Sequence, residues 1–287
     1  MHRKSGIKPA LRLAALMLSL ASPVSVAAPQ RVVSLAPSLT ELVCALGACE
    51  VLVGVDVASN WPPPVRALSR VGDLYNPDLE KIVRLAPDLI LSTPYGGAVD
   101  RLRSLHLRVA MVATDRYQDL YAAIARLGEL LQRSDAAAEL AKALRERVEH
   151  VRQRVGELPN RRVYYEIDRT PYTAGGDSYV SALIAMAGGT NIAAGFEATY
   201  PRVSPEFVLR SQPQVIILAD APHGVDAAEV AARPGWGSIP AVRSSDICSL
   251  DQPAVDVLHR PGPRLGQALE ILVRCLHGDD IARSIED

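Results

Sequence analysis

The chain has 287 residues, of which 48% are hydrophobic, 22% charged and 5% aromatic, with a formal net charge of −1. This composition excludes disordered and collagen-like chains, and the near-neutral charge gives no pull towards nucleic acid. The length suffices for one large domain or two lobes around a sizeable core.

Residues 1–28 read as a secretory signal peptide. Arg3, Lys4, Lys8 and Arg12 form a positive start, Leu13 to Ala21 is an apolar run, Pro23 breaks it, and Ser25-Val-Ala-Ala28 ends it. The run is too short to cross a bilayer, and no cysteine stands at the cleavage point to carry a lipid. Cleavage removes four basic residues and takes the formal charge from −1 to −5. The mature protein is expected to be soluble and periplasmic.

The next elements alternate. Residues 31–35 and 51–55 read as strands flanking a helix from Ser38 to Gly47, and Trp61 to Pro64 is a proline-rich turn. Asn76-Pro-Asp78 opens a helix that stops before Pro87, 88–91 and 109–112 are apolar strands, and 120–131 is helical. Such alternation predicts a parallel α/β sheet. Over 134–155, Leu140, Leu144, Val148, Val151 and Val155 recur at steps of three and four, which marks one apolar stripe of a helix about 33 Å long. A strand at 162–167 restarts the alternation. The expected organisation is an N-terminal α/β lobe (29–133), a connecting helix (134–158) and a C-terminal α/β lobe (159–287), with a ligand cleft between the lobes.

The lobes repeat each other. Glu80-x-Ile-Val-x3-Pro87-x-Leu-Ile-Leu91 aligns with Glu206-x-Val-Leu-x3-Pro213-x-Val-Ile-Ile217, and 40–47 resembles 181–188. Duplicated lobes leave a cleft between them, where ligands bind.

Four cysteines allow three connectivities; Cys44–Cys49 with Cys248–Cys275 is one, and free buried thiols are the alternative. Their spacing and the six scattered histidines fit no metal site. No nucleophile elbow, phosphate loop or metalloprotease motif occurs, and Gly175–Gly176 and Gly188–Gly189 suit turns and helix ends better than a phosphate cradle. A secreted α/β hydrolase would need a serine–histidine pairing that the spacing does not offer. The sparse aromatics instead gather in expected loops of both lobes: Trp61, Tyr75, Tyr95, Tyr172 and Tyr200. Such a set would give flat apolar walls to a large planar ligand.

Several segments carry a resemblance. Arg31-Val-Val-Ser-Leu-Ala-Pro-Ser-Leu-Thr-Glu41, Trp61-Pro-Pro, Asn76-Pro-Asp-Leu-Glu80, Leu85-Ala-Pro-Asp-Leu-Ile90, Pro171-Tyr-Thr-Ala-Gly175, Gly188-Gly-Thr-Asn191, Tyr200-Pro-Arg-Val-Ser-Pro-Glu206 and His259-Arg-Pro-Gly-Pro-Arg264 resemble the periplasmic cobalamin-binding proteins. These belong to the helix-linked receptors of ABC importers for cobalamin, haem and ferric siderophores. The resemblance implies a monomeric receptor, not an enzyme, that carries no cofactor or resident metal and passes cobalamin or a related corrinoid to a permease dimer. It puts Pro37, Ala58, Trp61, Leu74, Tyr75, Tyr172, Tyr200, Asp256, Val257, Leu258, His259 and Arg260 around the ligand. Asp256 and Arg260 are expected to bond its amides. A family aromatic falls on Ala58 and a tryptophan on Leu74, where Trp61 and Tyr75 would compensate; the positions of the family's disulfide fall on Ala187 and Val273. Glu80 and Glu206 are implied as paired posts for permease arginines. A haem or ferric-siderophore receptor is the alternative; for haem, Tyr75 or His259 would be on the iron.

Overall fold

The computed structural model describes residue 2 and residues 27–285, apart from 96 and 98. The expected signal peptide, except for His2, Ala27 and Ala28, lies outside the described residues.

The first lobe is built on β1 (Val32–Ser34), β2 (Leu52–Val55), β3 (Ser69–Arg70), β4 (Leu89–Ser92) and β5 (Val109–Met111). All pairings are parallel, in the order β3-β2-β1-β4-β5. The runs VVS and LILS are completely buried, as a sheet covered on both faces requires. Because β1 is central and the order reverses there, a crevice opens at the carboxyl ends of the strands.

The second lobe holds β6 (Arg161–Asp168), β7 (Tyr172–Thr173), β8 (Gly189–Asn191), β9 (Val215–Leu218) and β10 (Ile247–Ser249). Its order is β10-β9-β6-β7, with β8 also on β6. The β6–β7 pair is antiparallel, a departure from the expected parallel sheet. A turn at Arg169 to Pro171 makes it a hairpin; Asp168 fixes the turn by accepting the Thr170 N–H at 2.8 Å.

The repeated unit is a helix followed by a buried strand. Helix Leu79–Arg84 is capped by Asp78, which accepts the Lys81 N–H at 3.0 Å, and leads to β4. Helix Pro205–Ser211 is capped by Ser204, which accepts the Phe207 N–H at 3.2 Å, and leads to β9. Helix Ser134–Val155 runs between the lobes along the chain; Ala137, Ala141, Leu144, Val148, Val151 and Val155 are buried on one face, with Leu140 partly buried beside them. These side chains share one continuous core with β1, β4, β6 and β9, so the helix is packed into both lobes. No helix among the described residues is long and apolar enough to cross a membrane.

Both disulfides of the first sequence pairing are present, Cys44–Cys49 and Cys248–Cys275. The second ties β10 at a sheet edge to helix Leu265–His277.

Candidate functional site

Between the lobes lies a cavity of about 290 Å³ lined by Leu74, Tyr75, Thr93, Tyr95, Asp115, Thr199 and Tyr200. The first five follow the carboxyl ends of β3, β4 and β5. Leu74 and Tyr75 ride on a tight turn: Gly72 takes φ +84°, and the Asp73 carboxylate accepts the N–H groups of Tyr75 and Asn76 at 2.8 and 2.7 Å.

Thr199 and Tyr200 are placed by a glycine pair. The Gly175 N–H donates to the Thr199 carbonyl at 2.9 Å, and Gly176 N–H to the Phe196 carbonyl at 3.0 Å. A Cβ on Gly175 would stand 1.8 Å from the Ala198 oxygen, and one on Gly176 2.1 Å from the Ala194 oxygen. Only glycine permits that approach, so the pair has a backbone-packing role. Gly188, with φ +82°, follows helix Tyr179–Met186.

Tyr75, Tyr95 and Tyr200 remain 65%, 60% and 51% exposed, although they line the cavity. The opposite lobe nevertheless strips solvent from the Tyr200 phenol and raises its pKa, with the charge of Asp115 adding to the effect. Asp115 is raised by partial burial and by the neighbouring Asp119, while a hydrogen bond from Tyr95 opposes the shift. The lining contains no lysine, arginine or histidine.

A second cluster joins the lobes. Glu41, 1% exposed on the first helix (Pro37–Ala45), accepts from Arg260 Nη1 at 3.2 Å and from Arg264 Nε at 2.8 Å. Arg260 also donates to Asn60 Oδ1 (2.7 Å) and the Ala58 carbonyl (3.0 Å), and it pairs with Asp256 at 2.9 Å. Asn60 Nδ2 donates to the same carboxylate at 2.8 Å. The Arg264 guanidinium lies 5.0 Å from the Trp61 ring centroid, a cation–π distance. Removing Glu41 would leave two largely buried arginines without their shared carboxylate, a change costing about 3–5 kcal/mol where such pairs are broken.

The residues singled out in the sequence therefore fall into separate places. Leu74, Tyr75 and Tyr200 line the cavity; Ala58, Trp61, Asp256 and Arg260 belong to the interlobe cluster. Asp256 and Arg260, expected to bond ligand amides, both meet first-lobe partners here: Asn60 bonds each of them, and the Glu41 carboxylate offsets a guanidinium that is only 8% exposed. Val257 and Leu258 are in the apolar core at 2% and 0% exposure, because helix Gln252–Leu258 turns that face inwards. Pro37 starts the first helix, and Tyr172 is exposed on β7. His259 Nε2 is 3.0 Å from the Tyr165 hydroxyl and shares a hydrogen bond with it; burial depresses the histidine pKa to about 4, so the ring is neutral. Glu80 and Glu206 are exposed, each in the first turn of its helix. Glu80 lies 3.5 Å from Arg84, and its own backbone N–H, with Ser204, lowers the pKa of Glu206. Thr93, Asp115 and Thr199 went unremarked in the sequence; the signal for Thr93 and Asp115 is position just after an apolar strand, whereas Thr199 is placed by the distant Gly175 and has no local signal. No group of three or more histidine, cysteine or acidic side chains among the described residues could hold a metal ion.

Residues 32–254 match the periplasmic binding protein family. The chain belongs to that family. This periplasmic binding protein is 30% identical over 262 residues to the vitamin B12-binding protein of Vibrio vulnificus strain CMCP6, covering 90% of this chain and 94% of that one. It superposes on the periplasmic vitamin B12-binding protein BtuF of Vibrio cholerae with a TM-score of 0.74 at 29% identity, covering 89% and 98% of the two chains. The apo haem-binding protein RhuT of Roseiflexus sp. RS-1 superposes with a TM-score of 0.76 at 27% identity, covering 88% and 99%. As a periplasmic binding protein of the ABC-importer type, it is a receptor, not an enzyme; it carries no cofactor and works outside the cytoplasm.

Proposed function

We propose that this periplasmic binding protein is exported by a cleaved signal peptide, captures cobalamin as a monomer between its lobes and delivers it to an inner-membrane ABC permease. The observation that carries the reading is the cavity lining: phenols from both lobes, one carboxylate and no cation. Cobalamin offers apolar corrin faces and a rim of carboxamides, which phenols and a carboxylate can meet by stacking and hydrogen bonding. Haem offers carboxylates that want arginine or lysine, and its iron wants a tyrosinate or imidazole. His259 is engaged by Tyr165, which leaves no imidazole at the cavity free for a haem iron and favours the corrinoid. Glu80 and Glu206, one on each repeated unit, are the proposed posts for permease arginines.

The test is retention. Purified protein is mixed separately with cyanocobalamin, haemin and a ferric siderophore, desalted, and its visible spectrum read. Cyanocobalamin is expected to stay bound. Loss of every chromophore, or retention of haemin without cyanocobalamin, overturns the proposal.

A further inference from the structure

The face of the second-lobe sheet turned away from the connecting helix buries two carboxyl groups and one guanidinium. Parallel pairing sets Glu166 of β6 opposite Leu218 of β9, and the Ala219 N–H donates to the Glu166 carbonyl at 2.8 Å. Alternation along the two strands puts Tyr164, Glu166, Leu218 and Asp220 on that one face, with the Asp220 carboxyl beside that of Glu166. Glu166 is wholly buried and accepts from Arg233 at both oxygens, at 2.6 and 2.7 Å. That fork matches one guanidinium to one carboxylate. Asp220 is 3% exposed, and neither of its oxygens has a donor among the described residues. The Tyr164 hydroxyl, buried on the same face, supplies none.

A buried carboxylate without a donor is far costlier than a neutral carboxyl. The other charged neighbours do not make up the deficit. Arg169 reaches Glu229 at 3.7 Å, Glu229 also lies 3.7 Å from Arg233, and His223 is exposed. Tyr165, on the opposite face, is kept neutral by its burial. Burial, with the charge of Glu166 adding to it, accordingly raises the Asp220 pKa well above the usual carboxylate range. We infer that Asp220 keeps its proton and hydrogen-bonds through it to Glu166, and that this shared proton clamps helix Ala227–Ala232 and the Trp236 turn to the second-lobe sheet. Arg233 follows that helix and lies 4.7 Å from the Trp236 ring centroid, and Trp236 meets Tyr164 edge-on at 5.9 Å. Release of the proton to solvent leaves two buried carboxylates competing for one guanidinium, and the layer over them must open to hydrate them. The same segment walls a groove of about 350 Å³ that Glu206 also lines, so the clamp bears on the face of the proposed post, whichever ligand the cleft holds.

The folded chain holds a proton that the unfolded chain releases near pH 3.9, so the clamp is complete below that value and is lost as the pH rises through the folded one. A carbon-13 NMR titration of the wild-type Asp220 carboxyl, assigned through its own backbone, reads the proton. It is expected to be protonated at pH 5.5, where an ordinary aspartate is ionised. Hydrogen exchange over residues 227–238, corrected for intrinsic rates, reads the clamp. Between pH 5.5 and 8.5 local opening should increase about tenfold in wild type, the scale of one unit of pKa shift. Asp220→Asn, whose amide donates to Glu166 at every pH, should abolish that increase; His223 is present in both proteins and cancels from the comparison. An Asp220 carboxyl already ionised at pH 5.5 overturns the shared proton. Wild-type opening that does not increase, or that increases equally in the folded variant, overturns the clamp. The two wild-type measurements decide the matter even if Asp220→Asn does not fold.

Discussion

His259 carries a pH dependence at the scale of one residue. Its imidazole is desolvated beneath the interlobe cluster, with Asp256 favouring the proton and Arg260 opposing it, and its pKa falls to about 4. In the unfolded chain the value is near 6.5, so between these two pH values the unfolded chain binds a proton that the folded one refuses. This contribution to stability is complete above about pH 6.5 and is lost as the pH falls towards 4, by an amount on the order of 3 kcal/mol. Urea denaturation of His259→Gln, whose amide can pair with the Tyr165 hydroxyl either way, should therefore lose less stability than wild type between pH 7.5 and 4.5. Equal losses would place the acid sensitivity elsewhere. Asp256 and Arg260 show where a motif stops being informative: the resemblance placed them near a ligand but gave no sign of their interlobe partners. Glu41 and Asn60, about 200 residues away in sequence, reach them only through the fold, and burial calls for such pairing.

Among the elements, those with long apolar patterns were legible. Helix Ser134–Val155 has the bounds expected from its stripe, because 22 residues of periodic apolar side chains can bury only one face. The repeated helix–strand units were equally plain, since proline and capping residues punctuate both. The short strands β3, β7 and β8 were not, as two or three residues carry no period and are held by distant backbone partners. The same applies to the run bearing Thr199 and Tyr200, whose position depends on Gly175 and Gly176. Gly175→Ala should push that run away, weakening cyanocobalamin binding about tenfold and lowering stability by about 1–3 kcal/mol. Titration and denaturation check both effects; unchanged binding would mean that the run does not position Tyr200 for the ligand.

Across the whole molecule, the lobes share a core with the connecting helix and are tied by the Glu41 cluster. Such ties oppose wide hinge motion, so the cleft is largely preformed and little binding energy goes into closing it. The proposed permease posts lie apart from that cleft. Glu80 and Glu206 lie outside the cavity, and exposed carboxylates set orientation and encounter rate more than affinity. Glu80→Ala combined with Glu206→Ala should leave cyanocobalamin binding intact while sharply lowering uptake with the permease in reconstituted vesicles. Normal uptake would reduce both to helix-terminus residues.

The central claim is that cobalamin is held between aromatic groups contributed by the two lobes. It is tested most directly by titrating cyanocobalamin into wild type and into the folded Tyr75→Ala/Tyr200→Ala double variant. The account predicts one molecule bound per wild-type chain and a loss of about 1–3 kcal/mol for each ring removed. A double variant that binds as tightly as wild type, or a wild type that binds none, would contradict it.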